Sequence, residues 1–501
     1  MKSAKFILLT FLSSSVFAEA TPVQAEVSPT PILPIISFEA QQKRVSELVK
    51  QSEYTIRQEE VKRIRLEKLQ QTEHRIQQEA GQYSLQLLTP TAIAYLESDF
   101  NPLWENKDAE RLFLKEYAVF AASGISTKAA QALVQILNTS PGLTRDILLT
   151  DSFLDYLYYN QNALNNANQW LYELGSYRSK APDEVQILLW VNATRNQTSL
   201  EFVQNLIPKN HIYQETVSNL FELNSSSSKI ATSKKGKTKK ASSISSQNLA
   251  LNALRLRLIP SFNNGIFVNI PSYQLYYFRD GQLALQSKVI VGRNDRRTPV
   301  MYSKLSNVVV NPPWNVPITI KNKDLVPKIR KDPSYAERNG YEIFDHKGNR
   351  INPHSIVWES YDPNTNFPYH IRQKAGDDSA LGRYKFNMPS TDAIYLHDTP
   401  KRELFSNKKR ALSSGCVRVA KSDELATLLL KEAGWNDKRK QSILESKKTT
   451  SAHIRSDNPV YLYYVTAWVE NGKIHTLPDI YNYDVKLPNV EINWEQVKNQ
   501  I

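Results

Sequence analysis

The apolar residues of this chain keep one period before residue 225 and another after residue 247. From Leu87 to about Leu223 they recur at i, i+3, i+4 and i+7, as in Phe113, Tyr117 and Phe120, then Ala130, Leu133, Val134 and Leu137. That spacing lines one face of a helix. Thr89-Pro90 reads as an N-cap followed by proline in the first turn, and Ser126 caps a helix after Gly124 closes the one before it. One amphipathic helix then runs through Leu251, Leu254 and Leu258, carrying Arg255 and Arg257. Beyond it the apolar residues come in short runs: Ile266–Ile270, Tyr273–Phe278, Ser287–Val291, Val308–Val310 and Tyr384–Met388. Turn residues such as Arg279-Asp280-Gly281 separate the early runs, which marks them as strands. Val460–Val469 reads as one long aromatic-rich strand, and a helix begins at Ser422 with Asp423 and Glu424 in its first turn. A chain of 501 residues exceeds what one core usually fills. The expectation is a multidomain protein, with an all-helical scaffold domain over 87–224, a linker over 225–247, a mostly β domain over 248–485 and a C-terminal tail over 486–501.

The N-terminal end reads as an export signal over residues 1–20. Lys2 and Lys5 precede an apolar run, and Val16-Phe17-Ala18 and Ala18-Glu19-Ala20 offer small-x-small cleavage sites. The run is short of the roughly 20 residues that span a bilayer, and an uncleaved anchor is the alternative. Residues 21–86 read as a Pro-rich tether followed by one or two solvated, charged helices with a weak face at Val45, Leu48, Val49, Val61, Ile64 and Leu69. A formal charge of +13 suits an anionic partner or surface. The 225–247 linker holds six lysines and no acidic residue, so it cannot bury apolar surface. It reads as a tether, with attraction to an anionic wall or membrane as the functional alternative. Nucleic acid is the weakest option, because no aromatic residue is interleaved for stacking.

Cys416 is the only cysteine. An intramolecular disulfide, a cysteine metal cluster and an acylated N-terminal cysteine are thereby excluded, and neither metal nor cofactor is expected. His397 lies 19 positions upstream of it. Apolar Ala393–Leu396 leads into the histidine and β-branched Val417–Val419 follows the cysteine, so both sit at strand ends. Two such strands side by side bring a thiol and an imidazole within hydrogen-bond reach, the arrangement an activated nucleophile needs. Gly415 lets the chain turn sharply there. A core cysteine, by contrast, is simply a small hydrophobe and needs neither Ser413-Ser414-Gly415 before it nor Arg418 after it.

The segment Ser413-Ser414-Gly415-Cys416-Val417-Arg418-Val419, with His397-Asp398-Thr399-Pro400 upstream, resembles the active site of the L,D-transpeptidases, bacterial enzymes that cross-link peptidoglycan stem peptides. Many members carry a histidine where Ser414 stands, and the variant without it resembles the large periplasmic branch of Gram-negative bacteria. The likeness runs from about Leu87 to Tyr483. It is strongest at Val268–Pro271, Val289–Arg293, Asn311–Pro317, Leu381–Pro389 and Ile394–Val419. Only the lysine-serine linker stands where that branch often carries a small peptidoglycan-binding module. The resemblance implies a β-sandwich-like catalytic domain in which Cys416 forms a thioester with a stem peptide, His397 acts as base and D-alanine leaves. The side-chain amine of diaminopimelate on a neighbouring stem then takes the acyl group. Backbone N–H groups of Gly415 and Cys416 are candidate oxyanion donors. Asp398 could steady the imidazole through its carbonyl or its carboxylate. Arg418, Tyr395, Ser414 and Trp314 are candidates for substrate contact, although Ser414 equally suits shaping the turn. The weakly periodic stretch 311–376, opened by Pro312-Pro313-Trp314, reads as a lid over Cys416. Expected partners are stem peptides and, through the helical domain, cell-wall synthesis proteins. Two other readings stand beside transpeptidation: an L,D-carboxypeptidase using the same site, and a non-catalytic wall-binding scaffold.

Overall fold

The computed structural model describes residues 38–173, 175–226, 245–362, 365–390, 393–484 and 490–501. The export signal, the proline-rich tether before residue 38 and the lysines of the linker lie outside them. The chain forms two compact units, residues 1–66 and 67–501.

In the first unit the described residues belong to one helix, α1 (Phe38–Ala80), which continues into the second. Its Val45, Leu48, Val49, Tyr54, Ile56, Val61, Ile64 and Leu66 are exposed. Glu59–Lys62 and Glu60–Arg63 pair along its surface.

The second unit opens with the last turns of α1, where Ile76 and Ala80 become buried. Eight helices follow: α2 (Leu88–Glu97), α3 (Lys107–Ala122), α4 (Thr127–Asn138), α5 (Leu143–Asn162), α6 (Ala167–Tyr172), α7 (Glu184–Arg195), α8 (Ser199–Asn205) and α9 (His211–Ser226). Ser126 caps α4 as its position predicts, its Oγ accepting from the Ala129 N–H at 3.2 Å. The start of α2 differs from expectation. Thr89 already lies inside the helix, and the entering N–H groups of Gln86 and Leu87 are taken by the buried Asp151 carboxylate at 3.0 and 2.7 Å. A long-range acceptor has replaced the local cap.

Helix α10 (Ser246–Arg257) is buried on every face from Leu249 to Arg257, so it is not the amphipathic surface helix its leucines suggest. It packs against α3, α6, α9 and the later strand Ala467–Glu470. Its arginines tolerate this because each is paired. Arg257 meets Glu116 at 2.6 Å, the Tyr213 hydroxyl at 2.7 Å and Asn160 at 2.6 Å. Arg255 donates to the Leu171 carbonyl and to Asp484 while its guanidinium lies over the Tyr172 ring. Through α10 the helical region and the β domain share one continuous hydrophobic core.

The β domain comprises β1 (Gly265–Asn269), β2 (Gln274–Arg279), β3 (Gln282–Gly292), β4 (Met301–Lys304), β5 (Asn307–Val310), β6 (Trp314–Asn315), β7 (Tyr341–Phe344), β8 (Arg350–Ile351), β9 (His370–Gln373), β10 (Tyr384–Asn387), β11 (Leu396–His397), β12 (Ala411–Ser413), β13 (Val417–Val419), β14 (Thr450–His453), β15 (Pro459–Tyr463), β16 (Ala467–Glu470) and β17 (Lys473–Thr476). The main sheet runs β14-β5-β10-β11-β13-β3-β2-β1-β15-β4, with β12 paired to β3. The aromatic run from Val460 is two strands, not one. The Asn269 amide takes both backbone groups of Val465 at 3.0 Å, and Asn252 accepts from the Thr466 N–H at 2.8 Å. These side chains replace a neighbouring strand and let the chain leave the sheet at that point.

The stretch 311–376 is more regular than its sequence. It forms a second sheet, β6-β9-β7-β8, and a helical segment over 318–331 around its own small core of Ile329, Ile343, Trp358, Phe367 and Ile371. The end of the chain is also ordered, unlike a free tail. Helix Trp494–Lys498 sets Trp494 edge-on against Phe221, and Gln496 donates to the Leu137 carbonyl.

Replacing Arg257 with methionine should strand the Glu116 charge in the core. A loss of about 3–5 kcal/mol is expected, read as a lower denaturant midpoint.

Candidate active site

The central strands of the main sheet create the site. β11 and β13 are parallel neighbours with Leu396 opposite Val417 and His397 opposite Arg418. On the other side of β11, Lys385 of β10 lies opposite His397. Alternation along each strand puts Leu396 and Val417 into the core, both fully buried. It turns Tyr395, His397, Cys416 and Arg418 to the other face, where they line a 510 Å³ cleft. Trp314, Pro317, Thr319 and Ile320 of the 311–376 insertion form its opposing wall.

The turn into β13 is held at several points. Gly415 has φ +121°, and a side chain there would press on Ile394. The Ser413 hydroxyl accepts from the Gly415 N–H at 3.2 Å and donates to the Cys416 carbonyl at 2.6 Å. Thr298 Oγ1 donates to the Gly415 carbonyl at 2.6 Å and accepts from the Gly292 N–H at 2.8 Å. Tyr481 donates to the Gly292 carbonyl at 2.6 Å. One expectation fails here: the Gly415 N–H is already committed to Ser413 and is not free to receive an oxyanion. The Cys416 N–H has no acceptor among the described residues.

His397 is buried, and its Nδ1 meets the Asp398 carbonyl at 2.5 Å. That contact orients the ring with Nε2 as the remaining nitrogen. Of the two roles open to Asp398, the backbone one is therefore realised. Its carboxylate faces away, accepting from the Arg383 N–H at 2.9 Å, Arg402 at 2.6 Å and the Ser422 hydroxyl at 2.7 Å. Burial, then the charge of Arg418, drive the imidazole pKa down to about 3. The Asp398 carbonyl opposes this and Lys385 adds to it. The ring is neutral across the physiological range.

Burial pushes the Cys416 thiol up, against hydrogen bonding from Tyr395 and the charges of Lys385 and Arg418. The Tyr395 hydroxyl receives the Trp314 indole N–H at 3.1 Å, which joins the insertion to the strand beside Cys416. Ser414 accepts from Arg296 at 3.2 Å, and the same guanidinium pairs with Asp324 of the insertion. Arg418 is largely buried, with its Nε unpartnered. Every candidate named from the sequence thus lies in or beside one cleft. Lys385, Arg296, Thr298 and Tyr481 were missed. Lys385 alone left a trace, as a charge in the apolar run Tyr384–Met388 that leads toward His397. Among the described residues no cluster of three or more His, Cys, Asp or Glu could hold a metal. No described helix is long and apolar enough to cross a membrane.

A single cysteine at the head of a parallel strand, with a buried, carbonyl-tethered histidine on the neighbouring strand, is the arrangement that a thiol acyl-transfer site needs. Residues 263–449 match the YkuD family, the L,D-transpeptidase catalytic domain, and residues 90–220 match a family described as a scaffold domain. A Haemophilus influenzae protein (strain ATCC 51907 / DSM 11121 / KW20 / Rd), named Putative L,D-transpeptidase, is 54% identical over 425 residues, covering 84% of each chain. This chain belongs to the L,D-transpeptidase family. A solved structure titled as the Ldtfm-avibactam carbamoyl enzyme aligns over 49% of this chain and 79% of its own, at 10% identity and a TM-score of 0.19.

With the thiol raised and the imidazole held neutral, alkylation of Cys416 by iodoacetamide should climb with pH through and above the ordinary thiol value of about 8.5. It should show no inflection near 6.5, where a free histidine would titrate. Rates from intact-mass measurement across pH 5–10 check this, and a step near 6.5 would contradict it.

Proposed function

We propose that this protein is a periplasmic L,D-transpeptidase that joins peptidoglycan stem peptides through diaminopimelate, with Cys416 as nucleophile and His397 as its base. The observation that carries this reading is the parallel pairing of β11 with β13, which turns the thiol and the carbonyl-tethered imidazole into one cleft.

The donor carbonyl lies against the Cys416 sulfur. As the sulfur attacks, its proton passes to His397 Nε2 and a tetrahedral oxyanion forms, with the Cys416 N–H as a candidate donor to it. The intermediate collapses, the bond to D-alanine breaks, and the departing nitrogen takes the proton from His397. A thioester remains. The acceptor amine then attacks the thioester carbonyl and gives a proton to His397. The sulfur leaves and recovers that proton, and a new amide joins the two stems. An imidazole that resists protonation suits this cycle only when proton transfer accompanies bond making, because a standing thiolate–imidazolium pair is disfavoured here.

The insertion acts as a lid. Its contacts at Trp314–Tyr395 and Asp324–Arg296–Ser414 bear on both sides of the nucleophile. A closed cleft keeps water from the thioester until the amine arrives. Arg418, Tyr395 and Trp314 contact the donor stem, whereas Ser414 serves the Arg296 contact. Residues 1–20 direct export, and the lysine-rich linker holds the protein near the anionic envelope.

Incubation of the mature protein with tetrapeptide muropeptides, followed by mass spectrometry, tests the reading. Cross-linked dimers are expected, whereas tripeptides alone would mark a carboxypeptidase and unchanged substrate a non-catalytic scaffold. Cys416→Ala should abolish turnover while keeping the fold. His397→Ala should slow acylation by about 10²–10⁴. Asp324→Ala should raise the share of hydrolysed over cross-linked product in the same spectra. An unchanged ratio would remove that contact from the lid's function.

A further inference from the structure

Two cations flank the candidate base, and among the described residues neither is paired with a carboxylate. The cross-strand order Lys385, His397, Arg418 is set by β-pairing on both sides of β11. Side chains directly opposite on neighbouring strands stand about 4.5–5.5 Å apart at Cβ, so the three rise from one row of the sheet. Cys416 and Tyr395 form the adjacent row on the same face. Arg418 lines the cleft, largely buried, and its Nε meets no protein partner among the described residues. Lys385 stands behind the Tyr395 ring, its Nζ 4.2 Å from the ring centroid. Neither forms a salt bridge with a described carboxylate. The acid next to the base, Asp398, is occupied by Arg402 and Ser422. On the opposite rim the cations are accounted for differently. Arg296 is neutralised by Asp324, and the exposed Arg297 lies over the rings of Tyr481 and Tyr483.

A half-buried positive charge without a counter-ion is costly to keep. Two of them beside a nucleophile select for negative charge in what docks there. On the proposed reaction, the group that leaves is an amino acid whose α-carbon carries both the scissile nitrogen and, if it is the last residue, a carboxylate. That carboxylate is two bonds from the departing nitrogen, and Arg418 stands two residues from Cys416 on the face that lines the cleft.

We propose that Arg418 receives the free α-carboxylate of the leaving residue and that Lys385 supplies the second charge selecting for it, so that the donor must end at the residue that leaves. This rests on the transpeptidase reading and adds Lys385 as a specificity residue. It also explains why a histidine can work between two cations. Burial is the largest cause of the ring's neutrality and the two charges add to it, so a docked carboxylate offsets the share that Arg418 and Lys385 contribute.

The single cysteine allows a direct test on the full-length protein. Iodoacetate and iodoacetamide alkylate the same thiol and differ in one negative charge, so the ratio of their rates cancels the thiol's own pKa. The parent should favour iodoacetate by about tenfold over the ratio measured for the urea-unfolded chain. Lys385→Met and Arg418→Met should each remove most of that preference, and Lys385→Arg should keep it. In steady-state assays, Lys385→Met should raise KM for a tetrapeptide donor with a free terminus more than for the same donor with an amidated terminus. Ratios in both methionine variants equal to the parent's would overturn the proposal, as would loss of the preference in Lys385→Arg. If the ratios shift as expected but no tetrapeptide is turned over, the charge selection stands and the transpeptidase reading falls. Turnover with unshifted ratios would overturn the charge selection and leave the transpeptidase reading in place.

Discussion

Everything at the site depends on a parallel contact between two strands of two and three residues, β11 and β13. Neither is long enough to persist by itself. β10 on one side and β3 on the other complete the ladder. Thr298, Ser413 and Tyr481 then anchor the loop that carries the thiol. A register shift of one residue would send Cys416 and His397 into the core and Leu396 and Val417 into the cleft. The anchoring bonds come from segments far apart in the chain, which makes such a shift expensive.

The helical region is bound to this sheet by charge as well as by apolar contact. Arg255 and Arg257 leave α10 in opposite senses, one toward Asp484 at the end of the β domain, the other toward Glu116 of α3. A buried pair of this kind adds little net stability, but breaking it is costly. It therefore specifies which face of the helices meets which face of the sheet. The terminal helix packs on the helical region through Trp494 and Gln496.

Much of this was legible from residue order. The change of period at the linker separated helices from strands, and the apolar run before His397 and the β-branched run after Cys416 located the two strands that pair at the cleft. The parts that were missed share a cause. Asp151 caps α2 from a distance, Asn269 and Asn252 end β15 from a distance, and Gly415 loses its free N–H to the hydroxyl of Ser413. In each, a side chain takes a backbone partner that local pattern cannot name. The insertion hid its sheet because its strands are two to four residues long, too short for alternation to register. Helix α10 misled because buried arginines look like surface ones until their partners are known.

The insertion enters and leaves the β domain through adjacent strands, with Trp314 opposite Gln373 and Asn315 opposite Arg372. Its two ends are thus closed by a ladder of their own, and the entropy of joining them is met inside the insertion. For the catalytic sheet, the excursion between β5 and β10 is equivalent to a short loop, whatever its length. Such a neck uncouples the history of the two parts. Residues beyond it are free to lengthen, shrink or repack, while Val308–Val310 and Tyr384–Phe386 keep the pairing on which the strands carrying His397 and Cys416 build.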